Sequence, residues 1–190
     1  MLKDLITSKT RVKILELFFE DPSSMFHVRE IVRRVDEEIN AVRRELIFLE
    51  KKGIFRKEKR GNRVYYYLDA TYPFYYDLIK IHAKEFGIGY DIVNSRAKLG
   101  KIKYAMLSGK YVRDLSGKED VDLLIVGLVV LPELQLIVKK EEGRVEKEIN
   151  YTVMSEEEFN FRKTRRDPFI SSILHGSRIM LIGDEEKLIS

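Results

Sequence analysis

Cysteine and tryptophan are absent from this 190-residue chain, and histidine occurs only three times. Without cysteine there is no disulfide and no thiolate metal site. His27, His82 and His175 are scattered without the spacing of a ligand set, so a structural metal is not expected. No run of 18 apolar residues occurs, which excludes a hydrophobic membrane-spanning helix. The opening MLKDLITSKTR lacks the apolar stretch of a secretory signal, and the expected location is the cytoplasm. What is present in quantity is charge: 35% of residues are Asp, Glu, Lys or Arg, against 44% apolar. That apolar share can supply one large core or two small ones. Charge richness without Cys or Trp is also the balance favoured in proteins of thermophiles.

The net charge of +4 is confined to one part of the chain. Residues 1–72 hold 16 Lys plus Arg against 12 Asp plus Glu, and residues 73–190 hold 19 against 19. Within the basic part, Lys51 to Arg63 carries seven cations and one anion, Glu58. Such a density attracts a phosphate backbone and displaces its counterions, although a charge run standing alone is also consistent with a merely solvated face.

The pattern around that run gives it a setting. SKTRVKILELFF (Ser8–Phe19) has helical spacing of Val12, Ile14, Leu15, Phe18 and Phe19, and Asp21-Pro22 ends it. A shorter helix is predicted from His27 to Val35, then a turn at Asp36–Glu38. In the third helix Ile39, Val42, Leu46 and Leu49 recur at one face, with Asn40, Arg43, Arg44 and Lys51 on or beside the opposite one. Gly53 after Lys51-Lys52 is a helix stop. Ile54–Glu58 and Arg63–Leu68 read as strands joined by Lys59, Arg60, Gly61 and Asn62.

Three helices followed by a basic hairpin is the order of a winged helix-turn-helix. Its second recognition-unit helix enters the major groove, and its hairpin grips the backbone. Double-stranded DNA is therefore the expected partner. The candidate contacts are Arg29, Asn40, Arg43, Arg44, Lys51, Lys57, Lys59, Arg60, Asn62 and Arg63. Arg29 suits a phosphate contact or, equally, a surface ion pair. The runs NAVRREL, LEKKGIF and GNRVYYYL make residues 5–75 resemble the ArsR-type winged-helix domain of archaeal and bacterial transcription regulators. The resemblance implies a sequence-specific regulator. The Cys and His clusters of its metal-sensing members have no counterpart here.

TYPFYYD (Thr71–Asp77) groups four aromatics around Pro73 and opens a helix running to about Phe86, with Gly87 and Gly89 as punctuation. Tyr72, Phe74, Tyr75 and Tyr76 are candidates for a homodimer contact or for packing on their own domain. Residues 73–88 read as a linker or dimerisation helix between domains at 1–72 and 89–190.

The remainder alternates elements: a helix over Tyr90–Lys98, strands at Ile102–Leu107 and Val121–Val126, a helix near Pro132–Glu142, and a strand at Ile149–Met154. A helix capped by Ser155 and Glu158 follows, then a helix from Pro168 to Gly176 and a last strand at Ile179–Ile182. This predicts an α+β protein whose second domain is α/β with a mixed sheet. Ser108, Gly109 and Lys110 after one strand, and Asp120 and Asp122 opening the next, are candidates for holding magnesium and a nucleoside triphosphate, the alternative for the two aspartates being a solvated strand entrance. Two carboxylates at i and i+2 on a strand share a side. This set, with EINYTVMSEEEF, DPFISSIL and GSRIMLIGD, resembles the minimal nucleotidyltransferase-like domain fused to such winged helices. Two departures stand out. The family's Gly-Ser order is reversed in Ser108-Gly109, and the place of its third carboxylate is taken by Asn150, with Glu148 on the other side of a possible register. The resemblance therefore implies a DNA-binding regulator carrying a nucleotidyltransferase-like sensor or interaction domain without activity. The alternatives are an active nucleotidyltransferase and an antitoxin-like component of a toxin-antitoxin pair.

Overall fold

The structure, a computed structural model, describes residues 6–108 and 121–189. It is an α+β protein whose chain divides into two compact units, residues 1–82 and 83–190.

In the first unit, helix α1 (Lys9–Glu20) begins where the Ser8 hydroxyl accepts the Arg11 N–H at 3.2 Å. It ends at Asp21, whose carboxylate takes the hydroxyls of Ser23 and Ser24. A two-residue strand β1 (Phe26–His27) leads into α2 (Val28–Val35), for which the His27 ring serves as N-cap by accepting the Glu30 N–H through Nδ1. Asp36 leaves α2 in the left-handed region, φ 50°, a conformation Asp tolerates better than most residues. Helix α3 (Ile39–Lys51) therefore follows α2 after three residues. It closes in a Schellman motif: Gly53 at φ 77° donates to Glu50 O at 2.9 Å and Ile54 donates to Leu49 O at 3.1 Å.

Strands β2 (Phe55–Arg60) and β3 (Arg63–Leu68) pair antiparallel along their whole length, and β1 adds to the other edge of β3. The four-residue turn expected at Lys59–Asn62 is only two residues long, because Lys59 and Arg60 pair with Val64 and Arg63. Gly61 at φ 61° makes that tight reversal available. The core is aromatic: Phe18 meets Phe26 and Phe55 with ring centroids 5.2 and 4.6 Å apart. Ile14, Ile31, Leu46, Leu49 and Leu68 fill the space around them. Each such fully buried side chain contributes about 1.5–3 kcal/mol. Helix α4 (Tyr75–Glu85) ends this unit and begins the next, burying Ile79 and His82, the latter against Phe19 at 5.6 Å.

The second unit holds a four-stranded mixed sheet in the order β6-β5-β4-β7, with β4 as Gly100–Leu107, β5 as Leu123–Val129, β6 as Tyr151–Met154 and β7 as Ile179–Ile182. Strand β4 is antiparallel to β5 and β7, and β5 is parallel to β6. The helix expected over Tyr90–Lys98 is two: α5 (Gly87–Asn94) and α6 (Arg96–Leu99). The two glycines taken as punctuation lie inside the first of them. Gly89 is there for contact, since a Cβ would stand 1.8 Å from the Ala83 carbonyl oxygen. Helix α7 (Leu131–Val145) joins the parallel pair, α8 (Glu156–Thr164) and α9 (Pro168–His175) follow β6, and a short α10 (Glu185–Ile189) ends the described chain. Tyr104, Met106, Leu124 and Val126 pack with Met154, Phe159, Ile170, Ile173 and Leu188. Their alternating neighbours Ala105, Leu107, Leu123 and Ile125 are buried as well. A sheet buried on both faces is why Leu123–Val126 is an unbroken apolar run rather than an alternating one.

Candidate nucleic-acid interface and the Ser108–Asp122 junction

Helix α3 divides cleanly by exposure. Val42, Glu45, Leu46 and Leu49 are buried, whereas Asn40, Arg43, Arg44, Ile47, Phe48 and Lys51 are exposed. The remaining predicted contacts, Arg29 on α2 and Lys57, Lys59, Arg60, Asn62 and Arg63 on the hairpin, are exposed too. They differ in how they are held. Lys57 Nζ lies 2.9 Å from Glu50, which raises its pKa, and Arg60 Nε lies 2.8 Å from Glu58, which raises the arginine and lowers the glutamate. Among the described residues Arg29, Arg43, Arg44, Lys51, Lys59 and Arg63 make no ion pair, so their charge is not neutralised at contact distance. At the base of the hairpin Arg56 donates to Asp69 at 2.6 Å and to the Thr71 hydroxyl at 3.1 Å. Burial pushes the Asp69 carboxyl up, but the bonds from Thr71 and Arg56 outweigh it and hold it below its usual value.

Two features of α3 escape any reading of apolar spacing. Glu45 is 6% exposed, on the core side of the helix. It accepts the Ser8 hydroxyl and the Arg11 Nε–H, each at 2.7 Å, so the first turn of α1 is bonded to the middle of α3. Arg11 at the same time lies over the Phe48 ring at 3.8 Å. No local signal in the sequence announces a pair 34 residues apart. The start of α3 is also settled internally: Glu38 Oε2 accepts the N–H groups of Asn40 at 2.7 Å and Ala41 at 3.1 Å. Its neighbour Glu37 is bonded to α1 through Lys13 at 2.7 Å and Thr10 at 3.1 Å, and the Lys13 bond leads in lowering its pKa.

In the second unit the junction of β4, β5 and β6 is a hydrogen-bonded clasp. Ser108 N–H donates to Asp122 O at 2.9 Å, and the Ser108 hydroxyl donates to the Val121 carbonyl. Asp122, just ahead of β5, is 1% exposed. Its N–H donates to Asn150 O at 2.7 Å, and its Oδ2 accepts the Asn150 N–H at 2.9 Å. Asp122 is thus no solvated strand end. Gly109, Lys110 and Asp120 lie outside the described residues. Of the nucleotide and metal candidates only Ser108 and Asp122 are described, and the side chain of each makes a hydrogen bond to main chain. Among the described residues no three His, Asp or Glu side chains are grouped to hold a metal ion.

Of the aromatic candidates, Phe74 is 60% and Tyr76 39% exposed, while Tyr72 and Tyr75 are half-buried. They form edge-on pairs, Tyr72 with Phe74 at 5.8 Å and Tyr75 with Tyr76 at 5.1 Å. Among the described residues no helix is long and apolar enough to cross a membrane. Comparison with protein-family models, curated proteins and solved structures gives no match to this chain.

Proposed function

We propose that the chain is a DNA-binding transcription regulator in which residues 1–82 form a winged helix-turn-helix and residues 83–190 a nucleotidyltransferase-like domain without transfer activity. The observation that carries this reading is α3. It follows α2 by a three-residue turn, is anchored on its inner side, and holds Asn40, Arg43, Arg44 and Lys51 outward, with the cationic hairpin next in the chain. Arginine and asparagine are the side chains whose paired donors and acceptors match guanine and adenine edges, and lysines on a hairpin tip suit phosphates.

The test is duplex binding by the full chain. Affinity falls steeply as salt rises, because counterions are released at each phosphate contact. Arg44→Ala weakens the preferred sequence over random DNA by about 1–3 kcal/mol, as expected for loss of a bidentate base contact. Arg60→Ala weakens both about equally. Salt-independent binding, or the reverse pattern in the two variants, would overturn the assignment. Exposed Phe74 and Tyr76 support a homodimer, the arrangement in which two such units read a two-fold symmetric operator. For the second unit, the asparagine at position 150, the reversed Ser108-Gly109 order and the main-chain duties of Ser108 and Asp122 favour a sensor or interaction role over nucleotidyl transfer.

A further inference from the structure

On α3 one apolar side chain stands among the charges. At about 100° per residue, Asn40, Arg43, Arg44, Ile47 and Lys51 fall within about 100° of arc, and Ile47 lies within about 30° of the point opposite the buried row. Along the axis it is also central, one turn after Arg43 and Arg44 and one turn before Lys51. Ile47 is 59% exposed. A lone exposed isoleucine is ordinary on a protein surface. This one occupies a helix position where lysine, glutamate or alanine would favour the helix more and cost nothing in solubility. The neighbouring exposed ring, Phe48, is covered by the Arg11 guanidinium at 3.8 Å with Lys52 Nζ at 5.8 Å, so it is not part of the open stripe.

An apolar group framed by guanidinium and ammonium groups is poorly matched to phosphate. In the major groove the apolar feature of the base edges is the C5 methyl of thymine, and cations to either side match the flanking guanines and backbone. We infer that Ile47 is a specificity-determining residue that packs on a thymine methyl at the centre of each half-site. The inference rests on the proposed duplex reading of α3 and adds to it one base that no hydrogen bond need specify.

The experiment selects preferred duplexes from a random pool with the full chain, then replaces each thymine of the selected site, one at a time, with uracil. The replacement removes one methyl and leaves every hydrogen-bonding group in place. At one thymine per half-site, uracil weakens the wild type about fourfold, the affinity equivalent of one buried methyl group. The same replacement leaves Ile47→Ala binding unchanged, and Ile47→Ala retains the wild-type circular dichroism because the side chain is exposed. If selection yields a site but no thymine methyl matters, or if Ile47→Ala keeps the wild-type uracil penalty, the inference fails while the duplex reading stands. If no sequence is enriched at all, the duplex reading fails and the inference falls with it.

Discussion

At the scale of single residues, the clearest contrast is between Glu45 and Asp122, two acids buried for different reasons. Glu45 ends a long-range bond set with Ser8 and Arg11, whereas Asp122 closes on the main chain of Asn150. Removing the Glu45 carboxylate strands Arg11 and the Ser8 hydroxyl, so Glu45→Ala should cost about 2–3 kcal/mol of stability. Glu45→Gln, which keeps one acceptor, should cost less. Urea denaturation of the full chain orders the three proteins, and equal stability of wild type and Glu45→Ala would contradict the bond set. Asp122→Ala should cost about 1–3 kcal/mol through the unpartnered Asn150 N–H. Neither acid's role was legible in the chain. Helical spacing sets Glu45 beside Val42 and Leu49, but glutamate is rarely buried unpaired and its partners lie outside any local window. For Asp122, spacing along a strand gives the side a residue faces but not the main-chain N–H of Asn150 that its Oδ2 accepts.

At the scale of elements, spacing and caps were informative. Ser155 caps its helix as predicted, Ser8 and Asp167 are N-caps not singled out from the sequence, and the apolar faces of α1, α2 and α3 are those that periodicity gave. What spacing could not supply was pairing. β1 is too short to have a period and exists only because β3 offers it an edge, and the hairpin turn is shorter than its composition suggests because Lys59 and Arg60 find partners across it. The hairpin also has a predictable response to acid. Glu58 and Asp69 titrate below their ordinary values in the folded protein, so the unfolded chain binds more protons over that range. Their contribution is complete above the ordinary carboxylate range and declines as pH falls through the lowered folded values. Thermal melting of the full chain should therefore be flat in this respect from pH about 7 to 5 and fall below about 4. Asp69→Asn should have a shallower acid slope, and an unchanged slope would show that the Arg56–Asp69–Thr71 bonds contribute nothing to it.

At the scale of the whole molecule, the fold class and the mixed sheet were readable, because unbroken apolar runs and helical periods alternate in the second half of the chain. Association and chemistry were not, since both depend on what meets a surface. Two measurements address them. On the proposed homodimer, the wild type should sediment as a dimer and a Phe74→Ser, Tyr76→Glu double variant as a folded monomer. Loss of folding in its place would show the rings to be part of the unit's own packing. Incubated with each labelled nucleoside triphosphate, magnesium or manganese and duplex DNA, the wild type should incorporate no label. Incorporation that disappears in Asp120→Asn, Asp122→Asn would promote the enzyme reading.

The first turn of α3 has one further consequence. A helix N-terminus is a seat for anions, and Glu38 already fills this one with a carboxylate that takes two of its free N–H groups. The side chain is in effect a tethered competitor for any phosphate that approaches along the helix axis, and it is present at a concentration no solution anion matches. On the proposed duplex reading, Glu38 disfavours an axial phosphate, and the lateral stripe of Asn40, Arg43, Arg44, Ile47 and Lys51 is the side left for DNA. Glu38→Gly should remove the competitor and raise affinity for all duplexes alike, eroding discrimination while strengthening binding.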